Sequence, residues 1–390
     1  MADWQTKRTG IDGTLVGIFM MFLLLPAVLV IVPQSKPGSQ LTEKRRLAER
    51  PTAPRDTEAL IQYPREFERY FDDHFPFRTQ LIQGYNYLRI KVLKQSDQRF
   101  VVMGRDGWLF YTNEKLLEDF CGQVPYTDEK MEGFRRMVEA KRDWLAARGI
   151  PYIFVIPPNK QTIYPEYMAE DFLRARGRTR LDQLMAFMQA HSDVTIVDLR
   201  QPLIEAKAQD PLYYLTDTHW NNLGALIGYG EIMRAVGRAL GRDVGAVRTL
   251  EDYTVARQKR QGGDLAAMLG LADQFSEDNF ILTPRWEGGT CARKESLTGY
   301  PAPAGLSRRE PFAMRCERAD ITMVMFRDSF ASALVPLLAE NFRRSVFIWD
   351  WNYEAEFFKT VVEKERPDIV IDESGERVLY YLETGPQHRP

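Results

Sequence analysis

The sequence predicts a doubly wound α/β sandwich, a parallel sheet covered by helices on both faces, preceded by one membrane-spanning helix and carrying one insertion. Three observations point there. From residue 129 onward, five short and nearly continuous apolar runs alternate with stretches of helical periodicity, as expected of strands buried on both faces and joined by helical crossovers. Residues 241–315 break that rhythm with Gly, Pro and Arg and little apolar periodicity, which marks an insertion on the scaffold. Near the start, Gly13–Val32 reads GTLVGIFMMFLLLPAVLVIV without a charge.

The elements follow in order. A helix of twenty residues is ~30 Å long, the thickness of a bilayer's hydrocarbon core. A cleaved signal peptide is the alternative, but the apolar run exceeds a usual h-region and Pro33-Gln34-Ser35-Lys36 follows without a small-x-small cleavage pattern. Residues 1–32 are therefore read as a short stub and an uncleaved anchor. Lys7 and Arg8 precede the span while Lys36, Lys44, Arg45, Arg46 and Arg50 follow it, so the positive-inside count alone puts the bulk of the chain on the cytoplasmic side. Residues 33–57, with Pro33, Pro37, Pro51 and Pro54, have linker composition.

Residues 58–128 read as a helical and hairpin segment. Phe67, Tyr70 and Phe71, then Leu81, Tyr85 and Leu88, fall near helical spacing with a break at Pro76, and Val101–Met103, Gly104–Gly107 and Trp108–Tyr111 read as strand, turn, strand. Residues 129–385 make the α/β domain. Its expected strands are Tyr152–Ile156, Val194–Leu199, Ile321–Phe326, Ser345–Trp349 and Asp368–Ile371, and its expected helices lie near 129–148, 178–191, 330–340 and 353–365.

Composition narrows the function. The chain has 390 residues, 52 Lys+Arg, 54 Asp+Glu and 44% hydrophobic residues, enough for a sizeable core and unlike a disordered chain. Residues 1–50 hold seven basic and four acidic side chains, so the remaining 340 carry −5, which is no footprint for nucleic acid. The three Cys form no C-x-x-C and the four His no H-E-x-x-H, so neither a metal nor another cofactor is expected.

In open α/β sheets, ligands bind beyond the carboxyl ends of the strands. That rule gathers Asn159 and Lys160, Asp217 and His219, Arg327 to Phe330, Asp350 to Asn352, and Glu373 to Arg377 on one rim. His219 alone among the four histidines follows a sheet strand. In an extended segment residues i and i+2 point the same way, so Asp217 is placed to hold one imidazole nitrogen while the other faces a nucleophile. Ser329 follows an apolar strand and opens the expected helix 330–340, where an oxyanion is favoured, although Ser329 or Asp328 as an ordinary N-cap is the competing reading. The G-x-S-x-G elbow is absent. Asn159, Lys160, Arg327 and Trp351 complete the rim as candidates for oxyanion or substrate binding, and Trp349 and Trp351 as platforms for sugar rings. Cys291 and Cys316 either pair or stay as buried thiols.

Four segments together, Phe71–Arg78 (FDDHFPFR), Gly104–Phe110 (GRDGWLF), Asp217–Trp220 (DTHW) and Arg327–Phe330 (RDSF), resemble the periplasmic alginate O-acetyltransferases of the SGNH hydrolase-like superfamily over about residues 60–385. The order of motifs is the specific feature: Asp-x-His precedes the serine, whereas common SGNH esterases place the serine first. The resemblance implies a flavodoxin-like, SGNH hydrolase-like sheet and a triad of Asp217, His219 and Ser329. It further implies O-acetylation of an exopolysaccharide such as alginate in the periplasm, with acetyl groups supplied by a membrane-bound O-acyltransferase and the chain held by its single span in the inner membrane. That orientation overrides the charge count. The Arg-Asp-Ser here departs from the Gly-Asp-Ser of many SGNH proteins. A carbohydrate acetyl esterase with the same triad, and a non-catalytic polysaccharide-assembly subunit, are the alternatives.

Overall fold

The computed structural model describes residues 13, 15–21, 24, 48–75, 78–93, 100–297, 299–300, 310–349 and 355–382. Most of the expected span Gly13–Val32 and most of the linker lie outside them, and among the described residues no helix is long and apolar enough to cross a membrane. The chain divides into two compact units, Met1–Gln95 with Ala267–Leu271, and Ser96–Ala266 with Ala272–Pro390.

In the first unit α1 (Thr57–Asp73) starts at Asp56, whose carboxylate accepts the Ala59 N–H at 2.8 Å, the usual way an exposed first turn is satisfied. Pro64 lies inside α1. The second helix, α2 (Arg78–Tyr87), runs into a π-helical turn at Leu88–Val92. Two helices separated by a break match the expectation; Pro76 itself lies outside the described residues.

The second unit begins with the expected hairpin, β1 (Val101–Met103) against β2 (Leu109–Tyr111). The α/β body then adds α3 (Asp128–Ala146), β3 (Tyr152–Ile156), α4 (Arg180–His191), β4 (Thr195–Asp198), α5 (Arg200–Ala206) and α6 (Asn222–Leu240). Next come β5 (Tyr253–Gln261), β6 (Ser276–Pro284), β7 (Arg293–Ser296), β8 (Phe312–Arg315), β9 (Thr322–Phe326), β10 (Arg344–Ile348), α7 (Ala355–Glu365) and β11 (Ile369–Glu373).

Each apolar run feeds two cores by period-two alternation. Ile153, Val155, Met323, Met325, Phe347, Ile369 and Ile371 face one core with Ile232, Met233 and Val236 of α6. Tyr152, Phe154, Ile156, Val324, Phe326, Val346, Ile348 and Val370 face the other with Val138 of α3, Leu184 of α4 and Val361 of α7. That is the two-sided burial the sequence predicts.

The strand order corrects two expectations. A flavodoxin-like sheet runs 2-1-3-4-5, but the observed order is β4-β3-β11-β9-β10-β8-β7, so the five parallel strands run 2-1-5-3-4 along the chain. The last strand takes the middle because it is buried on both faces throughout, whereas Thr195 of β4 is exposed at the edge. The sheet is also mixed: β8 runs antiparallel to β10 and β7 to β8. Both antiparallel strands come from residues 241–315, which also supply the antiparallel ribbon β5–β6 and one end of a Cys291–Cys316 disulfide. Cys121 stays free and part-buried.

The helix expected at 330–340 is a third correction. It is broken into a 3₁₀ turn Phe330–Ala333, a helical turn Val335–Leu338 and a 3₁₀ turn Ala339–Asn341. Pro336 at the start of the middle piece cannot donate, so one continuous ladder is excluded.

Candidate active site

Because β11 lies between β3 and β9, the loops leaving these three strands are neighbours. The segment carrying Asp217 and His219 is pinned beside them from both ends. Tyr213 and Trp220 form an isolated bridge, the buried Trp220 indole donates to Phe330 O at 3.0 Å, and the Asn221 side chain caps α6 by accepting the Leu223 and Gly224 N–H groups.

His219 links two loops. Its Nδ1 lies 2.7 Å from Asp217 Oδ1 and its Nε2 lies 2.8 Å from Ser329 Oγ, while its backbone N–H donates to the same Asp217 oxygen at 3.1 Å. Burial raises the Asp217 carboxyl, but the hydrogen bond and charge of His219, followed by Arg260, outweigh it and hold the group well below the usual carboxylate range. An ionised Asp217 can only accept, so Nδ1 is assigned the proton and Nε2 is left to accept from the serine hydroxyl.

Polar groups from several elements hold this arrangement. The buried Lys160 ammonium donates to the carbonyls of Tyr214, Leu215 and Asp217 at 3.0, 3.1 and 2.7 Å, and burial pushes its pKa down to about 7. Glu277, on β6, accepts from Thr216 N and Oγ1 at 2.7 and 2.9 Å. Arg260, on β5, lies 3.5 Å from Asp217 Oδ2. Asp264 accepts from Thr218 N and Oγ1 at 2.7 and 2.6 Å, and Thr218 Oγ1 sits 3.1 Å from His219 Nδ1. Gly263 passes so close that a Cβ there would fall 2.8 Å from Asp217 Cγ, a contact only glycine avoids.

The serine side is built from two adjacent loop ends. Asp328 accepts Phe330 N–H at 2.8 Å and Gly375 N–H at 2.9 Å, and its own N–H donates to Glu373 at 2.9 Å. Burial and then the charge of Asp328 push Glu373 well above its ordinary range. Arg377 NH2 lies 3.1 Å from Ser329 Oγ and 3.5 Å from His219 Nε2. The Ser329 N–H has no acceptor among the described residues. Asp217, His219 and Asp264 each bring one atom to within 4.8 Å of the others, but these atoms already serve the hydrogen bonds just described. The Cys291, Cys316 and Glu340 group has its two sulfurs tied in the disulfide.

Residues 101–281 match the model of the SGNH hydrolase-like domain of the acetyltransferase AlgX. The chain is 27% identical over 230 residues to the probable alginate O-acetylase AlgJ of Pseudomonas aeruginosa, covering 57% of this chain and 53% of that protein. These residues are similar to the SGNH hydrolase-like domain of alginate O-acetyltransferases. Against the AlgJ of Azotobacter vinelandii it is 27% identical over 216 residues, 54% of this chain and 52% of the relative. It thus spans about half the length of these relatives. Among solved structures, PatB1 of Bacillus cereus superposes with a TM-score of 0.52 at 16% identity, covering 72% of this chain and 97% of that one. A DHHW family protein from Eubacterium siraeum gives 0.51 at 13%, covering 74% and 100%. Both likenesses concern the SGNH-like α/β fold.

Asp217, His219 and Ser329 lie together on this rim. The other rim candidates separate. Lys160 is buried beneath the Asp217 loop with its ammonium donating to three carbonyls, so it braces the site. Arg327 is likewise buried, donating to Asp328 O and Ser332 Oγ at 3.0 and 2.9 Å and stacking 4.5 Å over Trp349, so both it and Trp349 serve packing. Asn159 starts the helical turn Lys160–Ile163, its N–H donates to Glu376 at 2.7 Å, and its side chain makes no bond among the described residues. Trp351 lies outside them. Sequence reasoning assigns no role to Arg377, although it places this residue on the rim, nor to Arg260, Asp264 and Glu277 in the insertion. Only the later contact with Asp217 and Thr216 distinguishes these from ordinary charged loop residues.

Proposed function

We propose that the chain is a polysaccharide O-acetyltransferase working through an acetyl-serine intermediate. The observation that carries this reading is the continuous hydrogen-bonded chain Asp217–His219–Ser329, in a chain whose residues 101–281 match the model of an acetyltransferase domain. In the first half-reaction Ser329 Oγ attacks the acetyl carbonyl of an ester donor as His219 Nε2 takes its proton, and His219 returns that proton to the leaving oxygen. In the second half a sugar hydroxyl repeats the sequence and releases the acetylated sugar with free Ser329. Asp217 keeps the imidazole in the productive tautomer and stabilises its charged form.

The acceptor in this reading is an exopolysaccharide such as alginate, by analogy with the relatives named above. The donor system is a membrane-bound O-acyltransferase, and the catalytic domain lies in the periplasm behind a single inner-membrane span at Gly13–Val32. A reporter active only in the periplasm, fused after residue 390, is expected to work; activity of a cytoplasm-only reporter there would reverse the orientation. To test the reaction, the purified chain is given an activated acetyl ester with uronate oligosaccharides. Sugar mass gain that vanishes in Ser329→Ala supports transfer. Acetate release without mass gain makes it an esterase, and sugar acetylation surviving in Ser329→Ala removes the serine from the mechanism.

A further inference from the structure

We propose that Arg377 is a catalytic residue of this site, orienting and polarising the Ser329 hydroxyl and binding the oxyanion that forms on the acetyl carbonyl. The proposal rests on the reading of Ser329 as nucleophile. Its first support is the chemistry of the contact. A guanidinium has only donors, so at 3.1 Å Ser329 Oγ must offer it a lone pair, which leaves the serine proton free to point at His219 Nε2, 2.8 Å away. One contact sets both the hydroxyl rotor and the direction of proton transfer.

The second support is that this charge is kept available. Arg200 and Arg344, elsewhere in the same unit, are paired with carboxylates. Arg377 has no carboxylate partner among the described residues; Phe330 and Tyr111 lie 5.3 and 6.0 Å from it, their rings facing the guanidinium. Its remaining N–H groups are therefore unspent beside the reacting atom.

The third support is that its position is fixed to the nucleophile. Gly375 N–H donates to Asp328, and a Cβ at Gly375 would lie 3.0 Å from Asp328 Oδ2 and 3.1 Å from the Phe330 ring, so the loop bearing Arg377 is packed directly on the loop bearing Ser329. As the bond from Oγ to the carbonyl carbon forms, the proton passes to His219 and the carbonyl π pair collects on the acetyl oxygen beside the guanidinium. Collapse restores the carbonyl, breaks the bond to the donor's oxygen and returns the His219 proton to it. A preorganised donor aimed at such an oxygen changes rates by about 10²–10³.

The test is stopped-flow acylation of the full chain in detergent by p-nitrophenyl acetate, comparing wild type, Arg377→Met and Ser329→Ala. Arg377→Met is expected to acylate about 10²–10³ times more slowly with KM little changed, and millimolar guanidinium ion to restore part of the loss. Acylation by Arg377→Met within about twofold of wild type, with Ser329→Ala inert, overturns the role of Arg377 and leaves the nucleophile standing. A burst that persists in Ser329→Ala removes the nucleophile, and the proposal with it. Arg377→Gln carries the same comparison should the methionine variant fail to fold.

Discussion

The two halves of the site are held by different means. Ser329 and Arg377 leave parallel strands that lie side by side, and a few short bonds through Asp328, Glu373 and Gly375 lock them. His219 and Asp217 sit on a loop braced by Lys160 from below and by Arg260, Asp264 and Glu277 from the ribbon segment. Strand order thus decides the position of Ser329, whereas inserted polar groups decide that of Asp217 and His219. Damage to the ribbon contacts should therefore reduce activity before stability, and damage beneath the rim should reduce both.

The largest effect is expected from Asp217→Asn. The amide can hold the wrong imidazole tautomer, so acetyl transfer should fall by about 10³–10⁴ with little change in unfolding temperature. A loss below tenfold would mean that Asp264, 3.7 Å from His219 Nδ1, replaces it, and the division between the halves would need redrawing.

Lys160→Met tests the brace below. It strands three carbonyls, and buried polar groups without partners cost about 1–3 kcal/mol each, so denaturant titration should show a loss of about 3 kcal/mol or more together with reduced activity. Unchanged stability would contradict the bracing role.

Glu376 offers a pH test on the serine side. It is buried, accepts from Asn159 N–H and Thr162 Oγ1, and burial raises its pKa to about 7. A raised carboxyl binds its proton more tightly when folded, so its stabilising contribution is complete below about pH 4.5 and is lost as pH rises through about 7. Relative to wild type, Glu376→Gln should therefore gain about 3 kcal/mol between those limits. A difference that stays constant with pH would show that Glu376 does not titrate there.

The smallest effect is expected from Asp264→Ala. Loss of the Thr218 clamp should lower kcat about tenfold, or about 1.4 kcal/mol, with a stability change of about 1 kcal/mol or less. A large fall in unfolding temperature would make the ribbon contact structural.

These differences also explain what could be read from the sequence. The apolar runs around Ile153, Val324, Val346 and Val370 identify strands because burial on both faces leaves no room for polar residues. Asp217 and His219 are legible because their pairing depends on spacing within one extended segment, and Ser329 because it follows a buried strand. The order of the strands is not written in any local pattern, so the neighbourhood of Arg377 and Ser329 emerges only once β11 is placed between β3 and β9. Arg260, Asp264 and Glu277 reach the site through tertiary contacts more than forty residues from Asp217 or Thr216. The helix expected after Ser329 fails for a local reason, Pro336, that was present in the sequence.

The central claim is that Asp217, His219 and Ser329 act together on an acetyl group. Peptide mass spectrometry of the chain, quenched after exposure to an activated acetyl ester without acceptor, tests it most directly. One acetyl group on Ser329 in wild type, absent from His219→Ala and discharged on adding the sugar acceptor, is the expected result. An acetyl group on another residue, or equal labelling of Ser329 in His219→Ala, would contradict the account.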